Sequence, residues 1–227
     1  MRIGILQTGR SPDEIIGKHG DYDDMFKRLL DGRGFEFETY KALDSVLPQS
    51  VRDADGWLIT GSKFGAYEDH DWIPPLENFL REVFDAGVPI VGVCFGHQIL
   101  AQALGGKVEK FSGGWAVGPS DYVKTDGSKE TIMAWHQDQV TVLPEGATVI
   151  GSNDFCENAM LAYGSTALSV QPHPEFTPEF FADLLQARGD VLPGDIAQDA
   201  KARMDAALTS KDYADRFEEF FKRDRSS

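Results

Sequence analysis

Short unbroken runs of apolar residues alternate along the chain with longer stretches in which apolar positions recur every three or four residues. The short runs, at residues 2–6, 56–60, 89–93 and 167–171 with a weaker one at 35–40, predict strands. Continuous apolar runs of this length fit strands covered on both faces; a strand with one wet face would alternate apolar and polar. The longer stretches predict helices over 22–31, 73–86, 98–104 and 178–188. In the first of these Tyr22, Met25, Phe26, Leu29 and Leu30 fall on one helical face, and Gly32 and Gly34 stop it. Strands and helices taken in turn predict an α/β fold, an open and mostly parallel sheet with helices on both faces.

Residues 107–165 break this rhythm. Shorter, turn-rich strands are predicted at 122–125, 139–142, 148–152 and 158–163, forming a small antiparallel annex. After Gly189 the chain is charged and helical, with Tyr213, Phe217, Phe220 and Phe221 at helical spacing. The expected organisation is one main domain over residues 1–188 and a helical extension over 189–227 packed on it.

The chain has 227 residues and 41% hydrophobic content, ordinary for a soluble globular protein. Its formal net charge of −15 repels phosphate backbones and anionic lipid, which argues against nucleic acid and membrane as partners. No secretory signal and no apolar run of the roughly 20 residues a membrane helix needs is read in it. With only Cys94 and Cys156 there is no disulfide framework, and the chain is read as cytoplasmic with reduced thiols. No histidine spacing suggests a metal site. With neither a phosphate-binding loop nor a dinucleotide-binding glycine motif, no cofactor is expected.

The chemistry concentrates in two segments. In Val88-Pro89-Ile90-Val91-Gly92-Val93-Cys94-Phe95-Gly96-His97-Gln98 a buried strand runs through Gly-x-Cys-x-Gly into a helix. This is the cysteine form of a nucleophile elbow, in which glycines permit a tight turn and close packing. The turn would expose the Cys94 sulfur at the carboxyl end of the sheet, where open α/β folds bind ligands. It also sets Cys94 at a helix N-terminus, whose positive end favours a thiolate. In Gln171-Pro172-His173-Pro174-Glu175-Phe176 a histidine leaves another strand end between two prolines, which restrict its backbone. His173 could exchange the proton of a thiol nucleophile, and Glu175 could accept the other ring N–H and fix the tautomer.

Together the two segments resemble the signatures of class I, triad-type glutamine amidotransferases, and the likeness runs in order across residues 1–185. The resemblance implies a flavodoxin-like sheet and a Cys-His-Glu triad that removes ammonia from the glutamine side chain through a γ-glutamyl thioester. It implies Cys94 as nucleophile, His173 as base and acid, and Glu175 as orienter. It further implies backbone oxyanion donors near Gly61-Ser62 and at Phe95, and substrate contacts at Gln98, Trp115 and His136. For these last three, structural roles are open alternatives, and no role is assigned to His97 or Cys156. The run from Thr60 to Asp69, with Cys94 to Gln98, looks most like the free-standing branch related to the amidotransferase part of GMP synthase, which includes plant γ-glutamyl peptidases. Three readings follow: a glutaminase, with a separate synthetase subunit receiving the ammonia in one version of it; a hydrolase acting alone on a small γ-glutamyl peptide; or a non-catalytic binding module on the same fold. A cysteine hydrolase whose orienting acid lies elsewhere is a further alternative.

Overall fold

The computed structural model describes residues 1–225. Its first half runs β1 (Arg2–Leu6), α1 (Asp13–His19), α2 (Tyr22–Leu29), β2 (Glu36–Tyr40), β3 (Gly56–Ile59), α3 (Ile73–Asp85), β4 (Ile90–Val93) and α4 (Phe95–Ala103). Then come β5 (Lys107–Lys110), β6 (Ala116–Lys124), β7 (Lys129–His136), β8 (Asp138–Val142), β9 (Ala147–Ser152), β10 (Met160–Tyr163) and β11 (Ala167–Val170). The chain continues through α5 (Pro178–Arg188), α6 (Ile196–Ala202) and α7 (Asp212–Lys222). Nine strands form one sheet in the order β2-β1-β3-β4-β11-β10-β9-β6-β7. From β2 to β11 neighbours pair in parallel; from β11 to β7 they pair antiparallel. β5 and β8 make a separate antiparallel pair.

The unbroken apolar runs have the cause expected of them. Along β3 and β4, Trp57, Ile59 and Ile90 enter a cluster with Leu76 and Leu80 of α3 and Phe95 and Ile99 of α4. Leu58, Val91 and Val93 point to the other face, into a cluster with Ile3, Ile5, Phe26 of α2 and Phe217 and Phe221 of α7. Successive strand side chains therefore serve two cores, one on each side of the sheet. The spaced aromatics Tyr213, Phe217, Phe220 and Phe221 of α7 are all buried. At roughly 1.5–3 kcal/mol for burying each such side chain, they bind α7 firmly to the sheet.

The antiparallel annex extends the edge of the main sheet and is larger than its sequence suggests. β6 begins at Ala116, ahead of the predicted 122–125, and pairs along its length with β7, which has no counterpart among the predicted strands. The helix predicted from 98 begins at Phe95, because a single residue, Cys94, makes the turn. Among the described residues, no helix is long and apolar enough to cross a membrane, and no group of three or more His, Cys, Asp or Glu side chains could hold a metal ion.

Candidate active site

Cys94 sits between the end of β4 and the start of α4 with φ 54° and ψ −105°. A positive φ is uncommon for a residue with a Cβ and costs roughly 1–3 kcal/mol, persisting only where neighbours enforce it. Here both flanking glycines do so. A Cβ on Gly92 would overlap the Gly96 carbonyl, and one on Gly96 would overlap the Ile59 carbonyl at the end of β3. The Cys94 N–H donates to Val170 O of β11 at 2.9 Å, and Gly96 N–H donates to Thr60 O at 3.2 Å. The elbow is thus stitched to both neighbouring strands.

His173 enters from the antiparallel side. Its N–H donates to Met133 O of β7 at 2.8 Å, so the annex sets the position of its ring. The ring stacks on Phe176, with centroids 4.0 Å apart and planes within 6°. Its Nδ1 lies 2.7 Å from Glu175 Oε1, and both side chains are buried. Burial alone would push the imidazolium down, but the negative charges of Cys94 and Glu175 outweigh it and raise the ring to about 10. Gly61 fills the corner between them. A Cβ there would lie 3.0 Å from His173 Cε1 and 3.7 Å from the Cys94 Cβ. The Thr8 hydroxyl holds this corner through bonds to Thr60 O at 2.8 Å and Gly61 O at 3.2 Å. Ser62 follows directly, its Oγ accepting from Phe64 N–H at 3.3 Å. Phe95 is the first residue of α4, where backbone N–H groups have no partner within the helix. The arrangement brings a thiol, an imidazole with a carboxylate behind it, and unclaimed backbone donors to one point.

The remaining residues divide. Gln98 is buried one turn into α4, and its Nε2 donates to Asp138 O at 2.9 Å and Gln171 Oε1 at 3.1 Å. His136, at the end of β7, is near enough to His173 to feel its charge. Trp115 is partly buried against the cluster that contains Met133 and Phe176, so the structure links it to His173 by way of Phe176. His97, which has no evident partner in the sequence, pairs its Nδ1 with Ser169 Oγ at 2.8 Å. Cys156 is buried in an annex turn, and burial pushes its thiol up to about 12. Three residues of the site have no assigned role in the sequence reading: Met133, Gln171 and Phe176. Gln171 and Phe176 flank the His173-Pro174-Glu175 run and could have been found from it. Met133 acts through its backbone, which leaves no side-chain signature.

Burial also keeps His97 and His136 neutral, holding each down at about 3, with the charge of a neighbouring histidine as a lesser cause in both. The folded chain therefore binds fewer protons than the unfolded chain between pH 6.5, their ordinary value, and about 3. Stability from these two groups is present above pH 6.5 and is lost as pH falls through that window, by about 1.4 kcal/mol per pH unit for each histidine. Urea unfolding midpoints measured from pH 7 to 4 are expected to fall less steeply for His97→Gln. An unchanged slope would reject the assignment.

Comparison with known proteins agrees with this geometry. Residues 20–187 match the family model described as Glutamine amidotransferase class-I. Gamma-glutamyl peptidase 4 of Arabidopsis thaliana is 29% identical over 223 residues, a span of 91% of this chain and 88% of that protein. The glutamine-hydrolyzing subunit of the GMP synthase of Halobacterium salinarum is 33% identical over 172 residues, covering 71% of this chain and 87% of that one. The crystal structure of a glutamine amido transferase from Methylobacillus flagellatus shares the fold with a TM-score of 0.76 at 20% identity, over 97% of this chain and 93% of that one. With a family model spanning most of its length and relatives of similar extent, the chain belongs to the class I glutamine amidotransferase family.

Proposed function

We propose that the protein hydrolyses γ-glutamyl amide bonds through a γ-glutamyl thioester on Cys94, with His173 as proton carrier and Glu175 as its orienter. The observation that carries this reading is the position of His173, held 2.7 Å from Glu175 on one side and facing Cys94 across the Gly61 corner. The Cys94 thiolate attacks the γ-carbonyl carbon, and the oxyanion forms against the N–H of Phe95 and the backbone near Gly61 and Ser62. The His173 imidazolium gives its proton to the leaving nitrogen, so the C–N bond breaks and ammonia or an amine departs. Water then attacks the thioester, His173 takes its proton, and glutamate leaves with the thiol regenerated. Gln98, Trp115 and His136 are assigned to the walls that receive the glutamyl group.

Within this chemistry, glutamine is the first substrate to test and a γ-glutamyl peptide the second. The second is favoured by one observation: the match to the peptidase extends over 91% of the chain, against 71% for the GMP synthase subunit. Ammonia release from glutamine and amine release from glutathione, measured with the purified chain alone, separate the two. Glutamine turnover that appears only on addition of a synthetase points instead to a subunit that hands its ammonia on.

Covalent labelling tests the nucleophile. Diazo-oxo-norleucine is expected to leave one adduct, on Cys94, that excess substrate prevents. Cys156, buried and held up at about 12, is expected to stay unlabelled. A chain labelled at Cys156, or at neither thiol, would favour a non-catalytic module.

A further inference from the structure

A cavity of about 600 Å³ lies on the far side of His173 from the Gly61 corner, against Glu175 and Phe176. Its size is that of a small-molecule site. Met25, Leu29, Phe176, Phe180 and Leu208 supply apolar walls. Two polar atoms interrupt them. Glu175 is 6% exposed, its Oε1 is taken by His173, and its Oε2 is buried with no hydrogen-bond partner. The Ser210 hydroxyl, on the opposite wall, is likewise buried and unpartnered. A buried carboxylate oxygen left without a donor is costly, and a cationic donor offsets that cost best. Cations also line the cavity: Lys18 is neutralised by Glu179 and Asp183, while Arg28 and Lys211 make no ion pair among the described residues. A purely anionic ligand would meet Glu175, and a purely cationic one would meet Arg28 and Lys211. A zwitterion with an apolar body satisfies all of these walls.

We propose that this cavity binds a free α-amino acid with an apolar side chain, its ammonium on Glu175 Oε2 and its carboxylate toward Ser210 and Lys211. Given the catalytic reading above, on which this consequence rests, occupancy offsets the negative charge that sustains the His173 imidazolium. Turnover then falls while substrate affinity is unchanged.

The test titrates L-phenylalanine, L-leucine and L-methionine into the Cys94→Ala chain by calorimetry, so that no substrate chemistry enters. Saturable binding is expected, and N-acetyl-L-phenylalanine, which lacks the ammonium, is expected to bind at least about tenfold more weakly. Ser210→Ala and Lys211→Ala are each expected to weaken L-phenylalanine by about fivefold. Absence of binding by all three amino acids, or equal binding of the acetylated compound, overturns the proposal. With the unmodified chain, kcat should fall on addition of L-phenylalanine at constant KM; a rise in KM at constant kcat would place the ligand at the nucleophile instead and overturn it. A chain with no γ-glutamyl turnover but with ammonium-dependent binding keeps the site and removes only the catalytic reading.

Discussion

Replacing Cys94 with alanine is expected to lower turnover of a γ-glutamyl amide by at least about 10⁴-fold, because neither His173 nor the backbone donors can substitute for the attacking thiolate. Loss of a nucleophile is among the largest effects a single atom can have, and it should leave substrate binding nearly intact. The backbone sharpens this expectation. Cys94 holds φ at 54°, a region that alanine also resists and glycine accepts. Cys94→Gly should therefore be as inactive as Cys94→Ala yet more stable by about 1 kcal/mol. Paired denaturant unfolding curves measure the difference. Equal stabilities would mean that the turn at Cys94 stores no strain, and residual turnover above about 1% of the parent chain would remove Cys94 from the chemistry.

Gly96→Ala is expected to destabilise the fold by about 3 kcal/mol and to abolish turnover with it. The added methyl would run into the Ile59 carbonyl and backbone, and backbone cannot rotate aside as a flexible side chain can. α4 would have to lift from β3, taking the Cys94 turn and the Phe95 N–H with it. The sign of the effect depends on that contact and not on glycine as such. Gly17, inside α1, has nothing within 4 Å of the same position, so Gly17→Ala should stabilise by about 0.5–1 kcal/mol. Thermal melts of the two variants should move in opposite directions; a mild effect of Gly96→Ala would mean that the elbow has room that the structure denies it.

The parallel half of the fold is readable in the sequence because each of its strands is buried on both faces, and a run such as Ile90-Val91-Gly92-Val93 permits little else. β7 hides for a physical reason. Its Glu130 is buried and reads as a break in the pattern, but the folded chain surrounds it with Lys124, Arg216 and the Tyr213 hydroxyl. The partners come from β6 and α7, so the residue that looks wrong locally is satisfied only in three dimensions. The same distinction applies at the site. Cys94, His173 and Glu175 carry their chemistry in side chains and stand out at once. The Met133 carbonyl that positions His173, and the Thr8 hydroxyl that braces the Gly61 corner, act through contacts between distant segments.

The seating of α7 bears on how the chain reaches its folded state. Phe221 packs so closely on β3 that a Cβ at Gly56 would lie 2.8 Å from its ring, and Phe217 is fully buried on the same face. That face is closed by a helix synthesised only after every strand has been made. Until then Ile3, Ile5, Leu58 and Val91 have an incomplete cover. Contacts so distant in sequence slow the search for the native state, to the millisecond-to-second range typical of non-local topologies, and leave apolar surface open to association meanwhile. A proteolytic nick between α6 and α7 should reopen that same surface in the mature protein.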